Sequence, residues 1–186
     1  MVGRYGSPMQ LTRPDLAQVL DRSAAESPTA DLGWFDAPPT GSRVLRERVA
    51  LGPGASLAAT AAALFGWDLH RGAGLVIAPS GPAEVGVTVV QAVRVGPLWF
   101  TAPCRVVDVV REPDEVGFTY ATLPHHPETG VEAFRVLRDD SAPSGLAFEI
   151  HAVARHDFWG SRILPRVAHR VQDRVTRGYL ATAQGG

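Results

Sequence analysis

The chain has 186 residues, of which 45% are hydrophobic and 20% are charged, and its formal net charge is −1. This is the composition of an ordinary globular protein of one domain, and so small a charge excludes a general electrostatic attraction to nucleic acid or to an anionic membrane. The single cysteine, Cys104, excludes an internal disulfide bond. The chain has no apolar run of 18 residues and no apolar N-terminal region, so we expect a cytoplasmic protein without stable membrane insertion. All 18 basic residues are arginine, which is typical of a GC-rich bacterial genome.

Residues 1–42 form a predicted N-terminal extension to the body of this single domain. Thr12 is the predicted N-cap of a short helix with an apolar stripe, and residues 23–42 have the Ser-, Pro- and Gly-rich composition of a loop. The aromatic pair Trp34 and Phe35 inside this loop is predicted to pin it to the rest of the domain. The alternatives for this pair are a ligand contact and a homodimer contact.

Residues 43–186 are predicted to form the body of the domain. Their pattern is a strand over 43–51, a helix capped by Ser56 and ended by Gly66, six strands separated by turns, and a long amphipathic helix that starts near Leu164. Six strands joined by short turns form an antiparallel meander, and its apolar face needs the C-terminal helix as a cover. The sequence therefore predicts an α+β fold in which a curved antiparallel sheet of about seven strands wraps around that helix. The rival is a closed eight-stranded barrel, which would lack the early helix between the first two strands.

The most informative segment is residues 117–134, which begins as a strand, breaks at a proline and resumes as a strand. Its second half contains the candidate catalytic residues His126, Glu128 and Glu132. A histidine that titrates near neutral pH beside a carboxylate is suitable as a general base. The alternative role is structural: His126 and Glu128 bond the backbone of the proline-locked loop, and Glu132 pairs with an arginine. We expect no metal site with His125, because adjacent residues on an extended chain point in opposite directions.

Within this segment one set of positions forms a recognisable motif: Gly117, Phe118, Tyr120, Thr122, Leu123, Pro124, His126, Pro127, Glu128, Gly130, Glu132 and Phe134. The motif resembles the core of the DUF1990 (UPF0548) family, whose members have no established activity. The resemblance extends upstream to Arg105 and recurs in the closing segment 174–180. The chain departs from the motif at Ala121 and His125, where the family is expected to have glycine, and at Val131, where it is expected to have glutamate.

The order of the predicted elements also resembles the helix-grip fold of START and Bet v 1-like (SRPBCC) proteins. In that fold a curved sheet wraps around a long C-terminal helix, with an extra N-terminal helix in this chain. The resemblance implies a space between sheet and helix, which often holds an apolar ligand.

Three functions are open at this point. The first is binding, without catalysis or a cofactor, of a small apolar or amphipathic ligand such as a lipid between the sheet and the helix. Its predicted wall and rim are Phe118, Tyr120, Phe148, Ile150, Leu164, Val171 and His126, and the hydroxyl of Tyr120 would orient the ligand. The second is a cyclase- or hydrolase-like enzyme that uses His126 and Glu128. The third is a structural or protein-interaction domain whose interior is filled by its own side chains and which forms a homodimer; none of the three involves nucleic acid.

Overall fold

A computed structural model describes residues 9–156 and 165–184, except for the side chains of residues 156 and 165–172. The elements are β1 (Met9–Gln10), α1 (Leu16–Ser23), a 3-10 turn (Leu32–Phe35), β2 (Arg43–Ala50), α2 (Leu57–Phe65), α3 (Asp68–Gly72), β3 (Val76–Pro79), β4 (Thr88–Val95), β5 (Leu98–Arg111), β6 (Glu115–Thr122), β7 (Glu128–Arg138), β8 (Leu146–His156) and α4 (Pro165–Gln184). Within the described part of the chain, no helix has the length and apolar character needed to cross a membrane.

All of these strands lie in one eight-stranded antiparallel sheet. Its order is β2-β8-β7-β6-β5-β4-β3, and β1 pairs with the beginning of β5. Strands β3 to β8 form the predicted meander, and β2 returns to pair with β8 from Arg43↔Ala154 to Ala50↔Ala147. Because β2 and β3 end the order without pairing with each other, the sheet is open and the closed-barrel alternative is wrong. The strand order, with α2 and α3 between β2 and β3 and a long helix at the C-terminus, is the predicted helix-grip architecture.

The helices α2, α3 and α4 pack on one face of the curved sheet, which we call the concave face. On β6, β7 and β8 this face carries the fully buried rings of Phe118, Phe134 and Phe148. Tyr179 of α4 packs edge-on against Phe134, with ring centroids 5.1 Å apart. Gly178 of α4 lies so close to the backbone of Ala73, just after α3, that an added Cβ would meet it at 2.8 Å. The prediction that the C-terminal helix covers the apolar face of the meander is confirmed.

The predicted helix ends are partly right. The hydroxyl of Ser56 caps α2 and Gly66 ends it, as predicted. The prediction that Thr12 caps α1 is wrong: Asp15 is the N-cap, because its extended backbone brings the carboxylate within 3.2 Å of the backbone N–H of Gln18. The elements β1 and α3 were not predicted, because two and five residues are too short to show a periodic pattern.

The N-terminal extension packs on the opposite face of the sheet, which we call the outer face. A second buried apolar cluster forms there from Ala30, Ala121, Val131 and Val153, with Trp34, Phe35 and Val107 packed against it. The ring of Phe35 lies 4.6 Å from that of His151, and the guanidinium of Arg155 lies 5.7 Å from the ring of Trp34. The prediction that the aromatic pair pins the loop to the body is confirmed.

Arg105 on β5 fastens the same extension through hydrogen bonds. Its guanidinium donates to the backbone carbonyls of Ser23 at 2.9 Å, Ala24 at 2.8 Å and Glu26 at 2.6 Å, and to the hydroxyl of Thr88 at 2.9 Å. The last carbonyls of a helix have no partner within the helix, so this arginine supplies the donors that the end of α1 lacks.

Candidate functional site

Polar side chains gather on the concave face between the sheet and α4. We call this group the interior polar cluster, and it consists of His70, Gln91, Cys104, Tyr120, Glu132 and Tyr179. The sheet register explains the grouping, because Tyr120 of β6 is directly opposite Glu132 of β7 and both point to the concave face, as Phe118 and Phe134 do one step along. Strands β4 and β5 contribute Gln91 and Cys104 to that face, while α3 and α4 supply the histidine and the second tyrosine.

The centre of the cluster is the pair formed by Tyr120 and Glu132. The hydroxyl of Tyr120 donates a hydrogen bond of 2.5 Å to Oε2 of Glu132. Tyr120 is buried, whereas Glu132 as a residue is half-buried. None of the ion pairs among the described residues includes Glu132. The side chains of Arg166 and Arg170 on α4 lie outside the description, so the alternative that Glu132 pairs with an arginine stays a prediction. Arg135, three residues further along β7, points to the outer face and bonds Asp108 there.

Burial determines the protonation of this pair. It raises the pKa of Glu132 to about 7; the hydrogen bond from Tyr120 partly offsets this effect, and the negative charge of Glu128 adds to it. Burial, followed by the charge of Glu132, also raises the pKa of Tyr120 and of Tyr179 well above the usual value. Both hydroxyls are therefore protonated donors at neutral pH, while the carboxyl of Glu132 exists in both forms. A carboxyl that titrates near pH 7 on an interior surface is a typical feature of functional sites.

The two tyrosines connect this pair to the other strands. The hydroxyl of Tyr179 donates to Oε1 of Gln91 at 3.4 Å, and Nε2 of Gln91 lies 3.9 Å from Sγ of Cys104. Burial raises the pKa of Cys104 well above its usual value, so the thiol stays protonated and unreactive at neutral pH. The donors of both tyrosines are thus already engaged within the protein.

His70 of α3, like Gln91 and Tyr179, is a member of the cluster that was not predicted from the sequence. It is fully buried, and within the described part of the structure neither of its ring nitrogens has a hydrogen-bond partner. Its ring packs at centroid distances of 5.0 Å from Trp67, 4.9 Å from Phe134 and 4.9 Å from Tyr179. Burial lowers the pKa of His70 to about 3, so the imidazole is neutral at physiological pH. Predicting the position of His70 would have required a predicted helix over residues 68–72. A segment of five residues is too short to show a helical periodicity.

Most of the described residues of the predicted ligand wall are buried by the protein itself. Phe118, Phe148 and Ile150 lie on the concave face as predicted, but all three are fully buried. The ring of Phe118 packs 5.1 Å from that of Trp67, which belongs to the protein itself. Leu164 lies outside the described residues, and Val171 lies on α4 with its side chain outside the description. Tyr120 is therefore the predicted wall residue that borders the half-accessible part of the interior.

The corner formed by His126 and Glu128 lies in the hairpin between β6 and β7. Nδ1 of His126 lies 2.9 Å from the backbone nitrogen and 2.8 Å from the carbonyl oxygen of Glu128, so it bonds the backbone of that residue in either tautomer. The backbone N–H of His126 in turn donates to the carbonyl of Leu123 at 3.1 Å. Burial lowers the pKa of His126 and the nearby Glu128 partly offsets this effect. These contacts give the imidazole a role in holding the loop, which is the structural alternative stated from the sequence.

Other possible sites lie outside the interior. No cluster of three metal-ligating side chains occurs among residues 9–156 and 165–184. A cleft of about 90 Å³ lies between α1 and β5 and includes His125 in its lining, and an open groove of about 620 Å³ runs beside Trp34. Both border the N-terminal extension, and neither contains a member of the interior polar cluster.

Residues 28–182 match the family model described as "Domain of unknown function (DUF1990)". The chain belongs to the DUF1990 family. A UPF0548 protein of Deinococcus radiodurans is 33% identical over 192 residues, which cover 92% of this chain and 95% of the relative. Among solved structures, a hypothetical protein of Helicobacter pylori matches with a TM-score of 0.56 at 9% identity, over 83% of this chain and 94% of that one, and shows the fold alone. Major latex-like protein 151 of Panax ginseng matches with a TM-score of 0.48 at 12% identity, over 76% of this chain and 97% of that one.

The structure explains the glycines of the DUF1990 motif. A Cβ on Gly117 would overlap the carbonyl oxygen of Phe134, and one on Gly130 would overlap that of Val153. Neighbouring strands approach too closely at these two positions for any side chain. The motif's expected glycine at position 125 also has a reason, because His125 has a φ of 71°, which lies in the left-handed region.

The other departures from the DUF1990 motif leave the interior polar cluster intact. Ala121 and Val131 both lie in the buried apolar cluster of the outer face. A glutamate at position 131 would point away from Glu132, because successive side chains of a strand alternate between its two faces. The missing acid of this DUF1990 chain therefore removes nothing from the pair that Glu132 forms with Tyr120.

Proposed function

We propose that this DUF1990 protein binds a small amphipathic molecule between the concave face of the sheet and α4, with the polar end of the molecule at Tyr120 and Glu132. The observation that carries this proposal is the half-buried side chain of Glu132 on the concave face, which among the described residues accepts one hydrogen bond, from the hydroxyl of Tyr120. Burying an ionisable group without a charged partner costs free energy, so its retention needs a reason other than stability. Binding of a ligand that compensates this cost is such a reason.

The position of the ligand follows from how the interior is filled. Toward α2 the ring of Phe118 packs against those of Trp67 and Phe65, with centroids 5.1 Å and 6.2 Å apart, which leaves that half of the interior occupied by the protein. Toward β2 the side chains of Leu45 and Glu132 are only half-buried. The proposed ligand therefore lies at the end of the concave face where β2, β8 and β7 meet α4, and is smaller than a ligand that would fill the whole space.

The alternative of a self-filled structural domain is supported only by the aromatic half of the interior, toward α2. The catalytic alternative with His126 and Glu128 has less support, because Nδ1 of His126 is already bonded to the backbone of Glu128. If the protein is an enzyme, Glu132 is the better candidate for a general acid or base, since its pKa of about 7 suits proton transfer at neutral pH.

Uptake of the neutral dye Nile red tests the binding proposal. Fluorescence titration of the purified protein should show saturable binding at one site. Leu45 lies opposite Ala152, which in turn lies opposite Glu132 on the next strand. A Leu45→Trp variant should therefore fill the proposed space and weaken dye binding at least tenfold.

The matched control is Val44→Trp, because Val44 is the neighbouring residue on β2, faces the other side and is 53% exposed. This variant should bind the dye like the wild type. Mass spectrometry of an organic-solvent extract of the protein should in addition detect a co-purified amphipathic molecule. Absence of saturable dye binding, or equal binding by the two tryptophan variants, would contradict the proposal and favour the self-filled domain.

A further inference from the structure

The carboxylate of Glu132 leaves acceptor positions open in the interior. Among the described residues, the one hydrogen bond to Glu132 comes from Tyr120, whereas a carboxylate has room for about four donors. A neutral imidazole has one donating and one accepting nitrogen, and both nitrogens of His70 lack a partner in the part of the chain that the structure describes, so this ring favours neither a donor nor an acceptor. The hydroxyl donors of Tyr120 and Tyr179 are already used, one on Glu132 and the other on Gln91. A ligand head group at this cluster therefore has to bring donors.

The charges around Glu132 also favour a cationic head group. The negative charge of Glu128 acts on Glu132 from the same strand. Glu47 also has the concave-face parity of β2, because Val49 two residues further packs against the main core, but Glu47 is exposed and solvent screens its charge. Arg43 at the end of β2 is engaged with Asp173 of α4 at 3.1 Å. An anionic head group would be repelled by Glu128 and Glu132, whereas a cationic head group would be attracted to them.

We infer that the ligand is an amphipathic amine whose protonated nitrogen binds Glu132, with its apolar part between the concave face and α4. This inference rests on the proposed function and names the chemical class of its ligand. An ammonium group carries three N–H donors and no acceptor, which matches the acceptor positions left open on the carboxylate of Glu132. The rings of Tyr120 and Tyr179 beside this position would also attract a cation through their π faces. Carboxylate and phosphate head groups bring only acceptors and negative charge, so the site disfavours them.

Binding of such an amine is coupled to loss of the proton from Glu132. Because the pKa of Glu132 is about 7, the fraction of ionised carboxylate increases about tenfold between pH 6 and pH 8, and the affinity for the amine should rise by the same factor. The titratable groups that interact with Glu132 are Cys104 of β5, Tyr120 of β6, Glu128 of β7 and Tyr179 of α4, and His70 of α3 packs beside Tyr120 with ring centroids 6.2 Å apart. The thiol and both hydroxyls stay protonated and His70 stays neutral over this range, so Glu132 accounts for the change.

The test compares three probes with the same ten-carbon chain: decylamine, decanol and decanoate, each below the concentration at which it aggregates. Isothermal titration calorimetry with the full chain at pH 8 should show decylamine binding at least ten times more tightly than either of the other two. Glu132→Gln should remove this preference. The matched control Glu47→Gln, the same change on the neighbouring edge of the concave face, should keep it.

The possible outcomes separate the amine inference from the proposed function. Equal affinities for the three probes, tighter binding of decanoate, or an undiminished preference in Glu132→Gln would overturn the amine assignment. Nile red binding without any binding of decylamine would overturn it while leaving the proposed function standing, whereas binding of neither would reject both. If Glu132→Gln does not fold, the wild-type protein alone still tests the inference, because an affinity for decylamine that does not change between pH 6 and pH 8 contradicts it.

Discussion

The molecule has two groups of polar side chains that include a histidine and a glutamate, and they differ in how their polar atoms are satisfied. At the hairpin corner, the ring of His126 bonds the backbone of Glu128, and the backbone N–H of His126 bonds Leu123. In the interior polar cluster, His70 lacks partners on both nitrogens and Glu132 has a single tyrosine donor, counted over the described residues. The first arrangement completes a turn, whereas the second costs stability. This difference indicates that the interior, and not the conspicuous corner, is the place where a function is to be sought.

The largest expected effect concerns the cost of burying His70. Its pKa is about 3 in the folded protein against 6.5 for the free side chain. Because the folded pKa is depressed, the stability that depends on neutral His70 is complete above pH 6.5 and is lost as the pH falls toward 3. This loss should be about 3 kcal/mol between pH 7 and pH 4.

The variant His70→Leu should lack this part of the acid destabilisation. Urea unfolding of both proteins at pH 7 and pH 4 measures the difference. At pH 7 the variant should be more stable than the wild type by about 1–2 kcal/mol, because two unpartnered buried nitrogens are removed. A wild type and variant that lose the same stability on acidification would show that His70 has partners in solution, and the contrast between the two places would then disappear.

A smaller effect on stability is expected from Glu132, and it depends on pH in the opposite direction. Its pKa is raised to about 7 in the folded protein from 4.5, so the folded state favours the protonated form, and the associated stability is lost as the pH rises from about 5 to 8. For a half-buried carboxyl that is partly screened by solvent, the loss should be about 1–2 kcal/mol.

The variant Glu132→Gln should show a flatter stability profile over the same pH range, while Glu47→Gln should follow the wild type. Thermal unfolding at pH 5, 6.5 and 8 distinguishes the two. A wild-type stability that rises toward pH 8 relative to Glu132→Gln would mean that a cation of the protein stabilises the carboxylate. The carboxylate would then not need a donor from a ligand.

The sequence predicted the fold well because the fold depends on periodic patterns. The alternation of Phe118 and Tyr120, and that of Phe148 and Ile150, determined which residues share the concave face. It also provided two members of the cluster, Tyr120 and Glu132, as separate candidates. Their pairing depends on the register of β6 against β7, which a single sequence does not specify when the connecting loop is longer than a tight turn.

His70 could not be predicted, and the reason is physical. Its environment is assembled from a five-residue helix, two strands and the C-terminal helix, so no local pattern marks it. His126 was the more conspicuous histidine because it lies within a dense motif of prolines, histidines and acids. Such a motif indicates that a loop has to adopt one conformation, and in this chain the histidine serves that conformation.

The smallest expected effect tests this last interpretation. His126→Ala removes the ring nitrogen that bonds the backbone of Glu128 and should lower the stability by about 1 kcal/mol, while Nile red and decylamine bind as in the wild type. His126→Asn is the matched control, because an asparagine side-chain oxygen can accept a hydrogen bond from the backbone N–H two residues further on. It should restore most of the stability lost in the alanine variant. If His126 were a general base, both variants would lose activity, since asparagine cannot take a proton from a substrate. An activity that is lost in both variants, with stability recovered only in His126→Asn, would identify His126 as a catalytic residue.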